Sequence, residues 1–537
     1  MSKFNTTVTR PARGQGPIVA APAPTLVTHE GGAAYARDGK GELFMLAVVN
    51  FVGEDTFYES GEDRDARYAR LVRQLAVEDP GWTLRFLRWL RAGANMRSAS
   101  LVGAAEFVHA RLAARAPSVA AYDVEGFDTD RGVERVAVDV VCQRADEPGE
   151  LLAYWMSKYG RAVPKPVKRG LADAATRLYN EYGLLKYDTA AHAVRFADVI
   201  DLTHPAATAP WQGDLFRFAL DRRHGRARVA PESLYMVRQQ QLVREAVAGG
   251  ELDVLLDARV MRSAGMTWED VLPLAGARVE KKALWEALIP TMGIFALARN
   301  LRNFDQAGVS DEAAQHAIGR FTDPEQVAKS RMFPFRWLSA YEHAPSLRWG
   351  HALDQALQHS LTALPAFPGR TLVLVDTSGS MTGVPFNARS KVTPLKAAAV
   401  FGVALAAKGE AVDLVGFADG RRPFAHPVGK GASVIREVDR FVRRSGEDGH
   451  GTAIAASLRA TFKGHDRVVI VSDLQTMDSE VSTAVPATTP MYGFNLGGYR
   501  PTAMPSGHGR VELGGLTDAT FKAIPLIEAG RRADWPF

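Results

Sequence analysis

The chain has 537 residues, 46% of them hydrophobic and 23% charged, with a formal net charge of +5. That is enough apolar material for more than one core, and a charge too mild and too evenly spread for a uniformly basic nucleic-acid coat. Any RNA- or DNA-binding surface must therefore come from spatial segregation of charge. The single cysteine, Cys142, excludes an internal disulfide and fits a reducing cytosol. Among the apolar residues of "VAVDVVCQRA" it reads as a small core hydrophobe. No apolar run approaches the roughly 18 residues of a membrane span, and the N-terminus lacks the apolar core of a secretory signal. A cytoplasmic protein with no membrane contact is expected.

Residues 1–25, rich in Pro, Ala and Gly, read as a flexible arm. Residues 26–368 read as a helical domain. "DPGWTLRFLRWLRAGANMRSAS" predicts an amphipathic helix that starts after Asp79-Pro80 and stops around Gly93. In "SASLVGAAEFVHARLAAR", Leu101, Ala105, Val108 and Leu112 fall on one helical stripe. The same grammar recurs in "TWEDVLPLAG", "EKKALWEALIPTMGIFALARNLRNF", "SDEAAQHAIGRF" and "RMFPFRWLSAYEHA". Stripes such as Trp285, Leu288 and Phe295 read as core. Helix pairs in series, without a strict repeat, suggest a solenoid-like stack.

Near residue 368 the pattern changes. "RTLVLVDTS", "AVDLVGFAD", "DRVVIVSDL" and "PMYGFNLGG" are short β-rich runs. Helical stretches separate them: "PLKAAAVFGVALAAKG", "SVIREVDRFVRRSG" and "GTAIAASLRATFKG". Alternation of this kind predicts a doubly wound α/β domain over 369–537, with a parallel sheet covered on both faces.

Ligands of such sheets sit beyond the carboxyl ends of the strands. Asp376 ends one predicted strand and Asp473 another, and "DTSGSM" adds the hydroxyls of Ser378 and Ser380. Thr452 follows the glycines of "GEDGHGT" at a predicted helix start. Two carboxylates and three hydroxyls, without His or Cys, form a hard-oxygen set suited to Mg²⁺ or Mn²⁺. A nucleophile elbow would need Gly-x-Ser-x-Gly after a strand, and "DTSGSM" lacks that frame. No base stands beside these serines, and no Gly-x-x-x-x-Gly-Lys-Ser/Thr phosphate loop occurs. A non-enzymatic role is expected.

"DTSGSM" resembles the Asp-x-Ser-x-Ser motif of von Willebrand factor A domains, the metal-ion-dependent adhesion site. Thr452 and Asp473 fall where that family has its later Thr and Asp. The resemblance implies a metal whose coordination is completed by an acidic group of a partner. "WTLRFLRWLRAGANMRSAS", "LIPTMGIFALARNLRNFDQAGV" and "SRMFPFRWLSAYEHA" resemble segments of the TROVE domain, so the two parts together resemble the Ro autoantigen family and its bacterial orthologues. That resemblance implies an all-α ring of HEAT-like helical repeats joined to a doubly wound A domain. It also implies binding of small noncoding Y RNAs and of single-stranded ends of structured or misfolded RNA, in RNA quality control beside an exoribonuclease.

Basic clusters offer phosphate contacts: Arg161, Lys165, Lys168 and Arg169 in one, Arg222, Arg223, Arg226 and Arg228 in another. "KRGLADAATRLYNEYGLLKYDTAAHAVRFADVIDLTHP" resembles the family's outer RNA-binding region, which makes Lys168, Arg169, Lys186 and His204 candidate Y RNA contacts. In "ALARNLRNF", Arg299 and Arg302, with Asn300 and Asn303 beside them, are candidates for single-stranded RNA. A competing reading keeps the metal site as a protein-interaction scaffold whose helices never touch RNA.

Overall fold

The structure is a computed structural model that describes residues 23–49, 55–226, 229–344, 346–362, 364, 366–383, 385, 392–505, 507, 509–515, 524–525, 527–528 and 535–537. Most of the expected arm, residues 1–25, lies outside them. The chain divides into two compact units. One comprises residues 72–332 and 336–359; the other joins residues 1–71 and 333–335 to 360–537.

Helices build the first unit. Asp79 accepts the Trp82 N–H at 3.0 Å, and Pro80 occupies the first turn, where its missing N–H costs nothing. That helix, Pro80–Ala92, ends at Gly93, and the next is Arg97–Ala113. "EKKALWEALIPTMGIFALARNLRNF" is divided. Lys281–Leu288 gives way to a single 3-10 turn, Ile289–Thr291, and then to Ile294–Ala307. Pro290 lacks the N–H that a continuing helix needs, and Gly293 caps the new one. Helices Val133–Val141 and Lys165–Leu178 pack closely at Gly170, where a Cβ would lie 2.5 Å from the Arg135 carbonyl oxygen. Cys142 is fully buried, and burial pushes its thiol pKa well up, as a core hydrophobe requires.

The second unit holds two sheets. Strands β1 (Leu26–Val27) and β2 (Ala33–Ala34) form an antiparallel hairpin. The six-stranded sheet contains β3 (Arg370–Asp376), β4 (Ala411–Phe417), β5 (Phe424–Ala425), β6 (Arg467–Ser472), β7 (Met491–Asn495) and β8 (Arg510–Gly514). Their order is β5-β4-β3-β6-β7-β8, parallel except for β5. β3 and β6 are buried almost throughout, which explains their unbroken apolar runs. Leu372, Leu374, Ile470, Phe417, Ile454 and Leu458 share one core cluster. The chain leaves β3 toward β4 and returns to β6 on the other side, so a crevice opens between the carboxyl ends of β3 and β6.

Residues 26–71 had been expected to open the helical domain. They pack instead with the sheet. Arg37 and Glu512 form a fully buried bidentate ion pair. Arg64, also fully buried, donates to the Gly497 carbonyl at 2.8 Å. Such partners are hundreds of residues apart in sequence and leave no local periodicity to read.

Candidate metal centre and nucleic-acid surface

Asp376 is the last residue of β3, and Asp473 follows the last residue of the adjacent β6. Because Val375 pairs with Val471, the parallel register brings both carboxylates to the crevice. Asp376 accepts the Ser378 N–H at 2.9 Å and the Ser472 hydroxyl at 2.5 Å. Ser378 and Ser380 bring their hydroxyl oxygens to 3.2 Å of each other. Asp473 Oδ1 accepts the Gln475 N–H at 3.1 Å, while its Oδ2 is buried without a hydrogen-bond partner among the described residues.

The loops around the crevice are tightly fixed. The Gly379 N–H donates to the His450 carbonyl at 2.9 Å, and the Met477 N–H donates to the Thr452 carbonyl at 2.8 Å. Asp448 accepts the Ala418 and Gly420 N–H groups, which anchors the loop that carries Thr452. Thr452 is buried just before the helix Ile454–Thr461 rather than capping it; Ala453 holds the cap position. Asp376, Ser378, Ser380, Thr452 and Asp473 are thus all buried at neighbouring loops on one edge of the sheet.

Both carboxylate pKa values are raised. Burial is the main cause for each, and the charge of Asp376 adds to the shift of Asp473. Among the described residues, the two buried carboxylates have no counter-charge and one of their oxygens has no hydrogen-bond partner. A hard divalent cation would supply both, so the residues present fit such an ion.

The candidate RNA residues lie on other elements. Arg169 is exposed and Lys168 half-buried on the helix Lys165–Leu178, whose opposite face is locked by Gly170. Thr176, two turns further along, donates to the Ala206 carbonyl at 3.1 Å. This places the His204 loop beside the same helix. His204 is in the left-handed conformation (φ 47°), its N–H closes the helix Phe196–Thr203, and its side chain is exposed. Its backbone is therefore a helix cap and its ring faces solvent. Lys186 Nζ lies 5.3 Å from the ring centres of both Tyr182 and Tyr187. The second basic cluster is partly neutralised: Arg222 pairs with Asp188 at 3.9 Å and Arg223 with Asp198 at 3.1 Å. Arg226 is exposed, and Arg228 lies outside the described residues.

On the helix Ile294–Ala307, Phe295, Arg299 and Arg302 are exposed along one stripe, with Arg299 5.7 Å over the Phe295 ring. Two expectations are corrected here. Trp285 and Leu288 are core, but Phe295 is 46% exposed. Asn300 is buried, donates to the Ala296 carbonyl and accepts from Asn303, so its amide is spent inside the helix.

Residues 251–366 match the family model of the TROVE domain. The match covers about a fifth of the chain, so a TROVE domain is shown for that segment. Two further likenesses accompany that match. Mouse telomerase protein component 1 is 35% identical over 83 residues, 15% of this chain and 3% of that protein. The rat protein of the same name is 30% identical over 110 residues, 20% of this chain and 4% of that protein. The chain therefore spans only a few per cent of these relatives. The crystal structure of the Deinococcus radiodurans Ro (RSR) protein superposes with a TM-score of 0.60 at 19% identity, covering 91% of this chain and 99% of that one. The fold is that of Ro: a helical-repeat region joined to a mixed α/β domain.

The TROVE match contains Phe295, Arg299 and Arg302, whereas Lys168, Arg169, Lys186 and His204 lie before it. Sequence reasoning missed Phe295 as a surface residue and Glu30, Tyr58 and Asp448 as neighbours of the crevice. The glycines around Asp448 in "GEDGHGT" were the only local hint of a constrained loop. No helix among the described residues is long and apolar enough to cross a membrane.

Proposed function

We propose that this TROVE protein is a non-enzymatic, cytoplasmic RNA-binding scaffold. Lys168, Arg169, Lys186 and His204 would hold a small noncoding, Y-type RNA. Phe295, Arg299 and Arg302 would hold a single-stranded end of structured or misfolded RNA for a nuclease partner to process. The carrying observation is the exposed Phe295 beneath Arg299, with Arg302 one turn on, inside the TROVE segment. A ring for a base and cations for phosphates are what unpaired nucleotides require, and a duplex would bury neither base face. Neither arginine forms an ion pair among the described residues, so both charges are available.

Asp376, Ser378, Ser380, Thr452 and Asp473 would hold Mg²⁺ or Mn²⁺, which supplies positive charge to buried oxygens and an attachment point for an acidic group. The unpartnered Asp473 Oδ2 favours a second role, metal-dependent attachment of a protein. Sequencing RNA that copurifies with the full-length protein tests the main reading. Small structured RNAs, depleted when Lys168, Arg169, Phe295 and Arg299 are replaced, are expected. Protein free of RNA, with no affinity for tailed RNA at low salt, leaves the protein-attachment role alone.

A further inference from the structure

The N-terminal hairpin places a third carboxylate over the metal crevice. β1 and β2 are joined by a tight turn in which the Gly31 N–H donates to the Thr28 carbonyl at 3.0 Å, with Glu30 at its tip. The turn is fastened to the loop that follows Asp473. The Thr28 hydroxyl donates to the Thr476 carbonyl at 2.5 Å, and the Gly32 N–H donates to the same carbonyl at 2.9 Å. The His29 N–H donates to Gln475 Oε1 at 3.0 Å. A Cβ on Gly32 would stand 2.4 Å from the Thr476 carbonyl oxygen, so only glycine permits this approach.

Glu30 accepts a hydrogen bond from the Tyr58 hydroxyl. Tyr58 is held by stacking on His29, with ring centres 4.7 Å apart, and by an edge contact to the buried Tyr499 at 5.3 Å. Burial and Glu30 push the Tyr58 hydroxyl pKa up while the nearby Ser380 side chain offsets part of that rise, and the charge of Glu30 adds to the burial that raises both Asp376 and Asp473. Glu30 and Tyr58 thus lie beside Ser380 at the crevice, where Asp473 Oδ2 is buried with no hydrogen-bond partner among the described residues.

We propose that the 28–32 turn is a built-in cap of the metal site, with Glu30, positioned by Tyr58, standing where an acidic group from outside would otherwise sit. This rests on the metal reading above. A cation in the crevice is attracted to Glu30, through the Tyr58 hydroxyl or a water in its place. An external carboxylate must then displace Glu30 to reach the ion. Attachment through the metal is consequently self-restrained, and its strength depends on the fraction of molecules in which the turn has lifted.

The test uses full-length protein, Mn²⁺ followed by electron paramagnetic resonance, and acetate as the external carboxylate. Wild type is expected to bind Mn²⁺ and Asp376→Ala to lose it. Glu30→Gln keeps the shape of the side chain but removes its charge. It is expected to weaken Mn²⁺ binding by roughly tenfold. Acetate should then reach the bound ion at about tenfold lower concentration than in wild type. Tyr58→Phe, which frees Glu30 from its anchor, should shift acetate binding the same way. If wild type and Asp376→Ala bind Mn²⁺ equally, the metal reading falls and the cap with it. If only Asp376→Ala loses the ion, while Glu30→Gln and Tyr58→Phe match wild type in both titrations, the metal reading stands and the cap is overturned.

Discussion

Asp376→Asn removes one charge from the crevice while keeping the size of the side chain and most of its hydrogen-bonding capacity. In the metal-free protein the raised pKa values of Asp376 and Asp473 mean that the native pair holds protons which the unfolded chain has released. The native state then binds more protons than the unfolded one, so stability falls as pH rises from the ordinary carboxylate range near 4 toward neutrality. While the pair keeps one such proton, the slope is about 1.4 kcal/mol per pH unit. Above that window at least one fully buried carboxylate stands uncompensated, because Asp376 and Asp473 have no Lys or Arg partner among the described residues. Removing one charge should therefore stabilise the metal-free sheet unit at pH 7.5 by on the order of 1–3 kcal/mol. Mg²⁺ at 100 times its dissociation constant should stabilise wild type by about 2.7 kcal/mol, roughly 100-fold in amide protection. It should do little at pH 5, where protons compete for the same oxygens.

Hydrogen exchange of peptides covering 370–380 and 467–477 isolates this region from the helical unit. The expected pattern is slower exchange in metal-free Asp376→Asn than in metal-free wild type at pH 7.5. Addition of Mg²⁺ should slow wild type alone. If metal-free Asp376→Asn exchanges faster than wild type, the carboxylates were not repelling each other. If it still responds to Mg²⁺, Asp376 is not part of the site. Either result refutes the reasoning.

Replacing Lys168 and Arg169 by Ala should lower affinity for a small structured RNA and flatten the dependence of log affinity on log salt by about one to two units; an unchanged slope in filter binding moves that contact elsewhere. Glu512→Gln leaves the buried Arg37 guanidinium with only the Tyr499 and Arg500 carbonyls as strong partners. It should cost about 3–5 kcal/mol, seen as early proteolytic release of the N-terminal segment. The apolar pair Arg37→Met, Glu512→Leu should recover much of that loss.

The sheet was legible where burial is simple. β3, β4, β6 and β7 are apolar runs, and two of the helices between them start at ordinary side-chain caps, Thr393 and Ser433, so the expected segments and the observed ones nearly coincide. β8 was not legible, because "RVELG" carries Arg510 and Glu512, which are buried by being satisfied. Arg510 donates to the Ser482, Val485 and Thr489 carbonyls, and Glu512 accepts from Arg37, Asn495 and Thr502. Hydrophobic patterning cannot register a charge that tertiary partners neutralise. The same blindness hid the N-terminal hairpin, whose place over the crevice depends on carbonyls more than 400 residues away. Asp376 and Asp473 could be placed at one edge from sequence because the ends of the parallel strands β3 and β6 fix their position.

Phe295 shows the opposite failure. On periodicity it belongs with Trp285 and Leu288, yet the helix begins only at Ile294, after the break at Pro290 has reset the phase. From that start Ile294, Leu297, Ala298 and Leu301 face the core, which leaves Phe295 and Arg299 outward at a spacing of one turn. An exposed aromatic under a guanidinium offers a flat face beside a positive charge, the pairing that the proposed contact with an unpaired base uses. Stacking of one base on such a platform contributes about 1–3 kcal/mol. Phe295→Ala should accordingly weaken a single-stranded 3′ tail by roughly 5- to 150-fold and leave a blunt duplex of equal charge almost unaffected. Arg299→Ala should weaken both, the tail more, and reduce the salt slope by about one unit. Competition binding of tailed and blunt RNAs to the two variants decides it. Equal loss for both RNAs in Phe295→Ala would make the ring a general packing element and remove the stacking role.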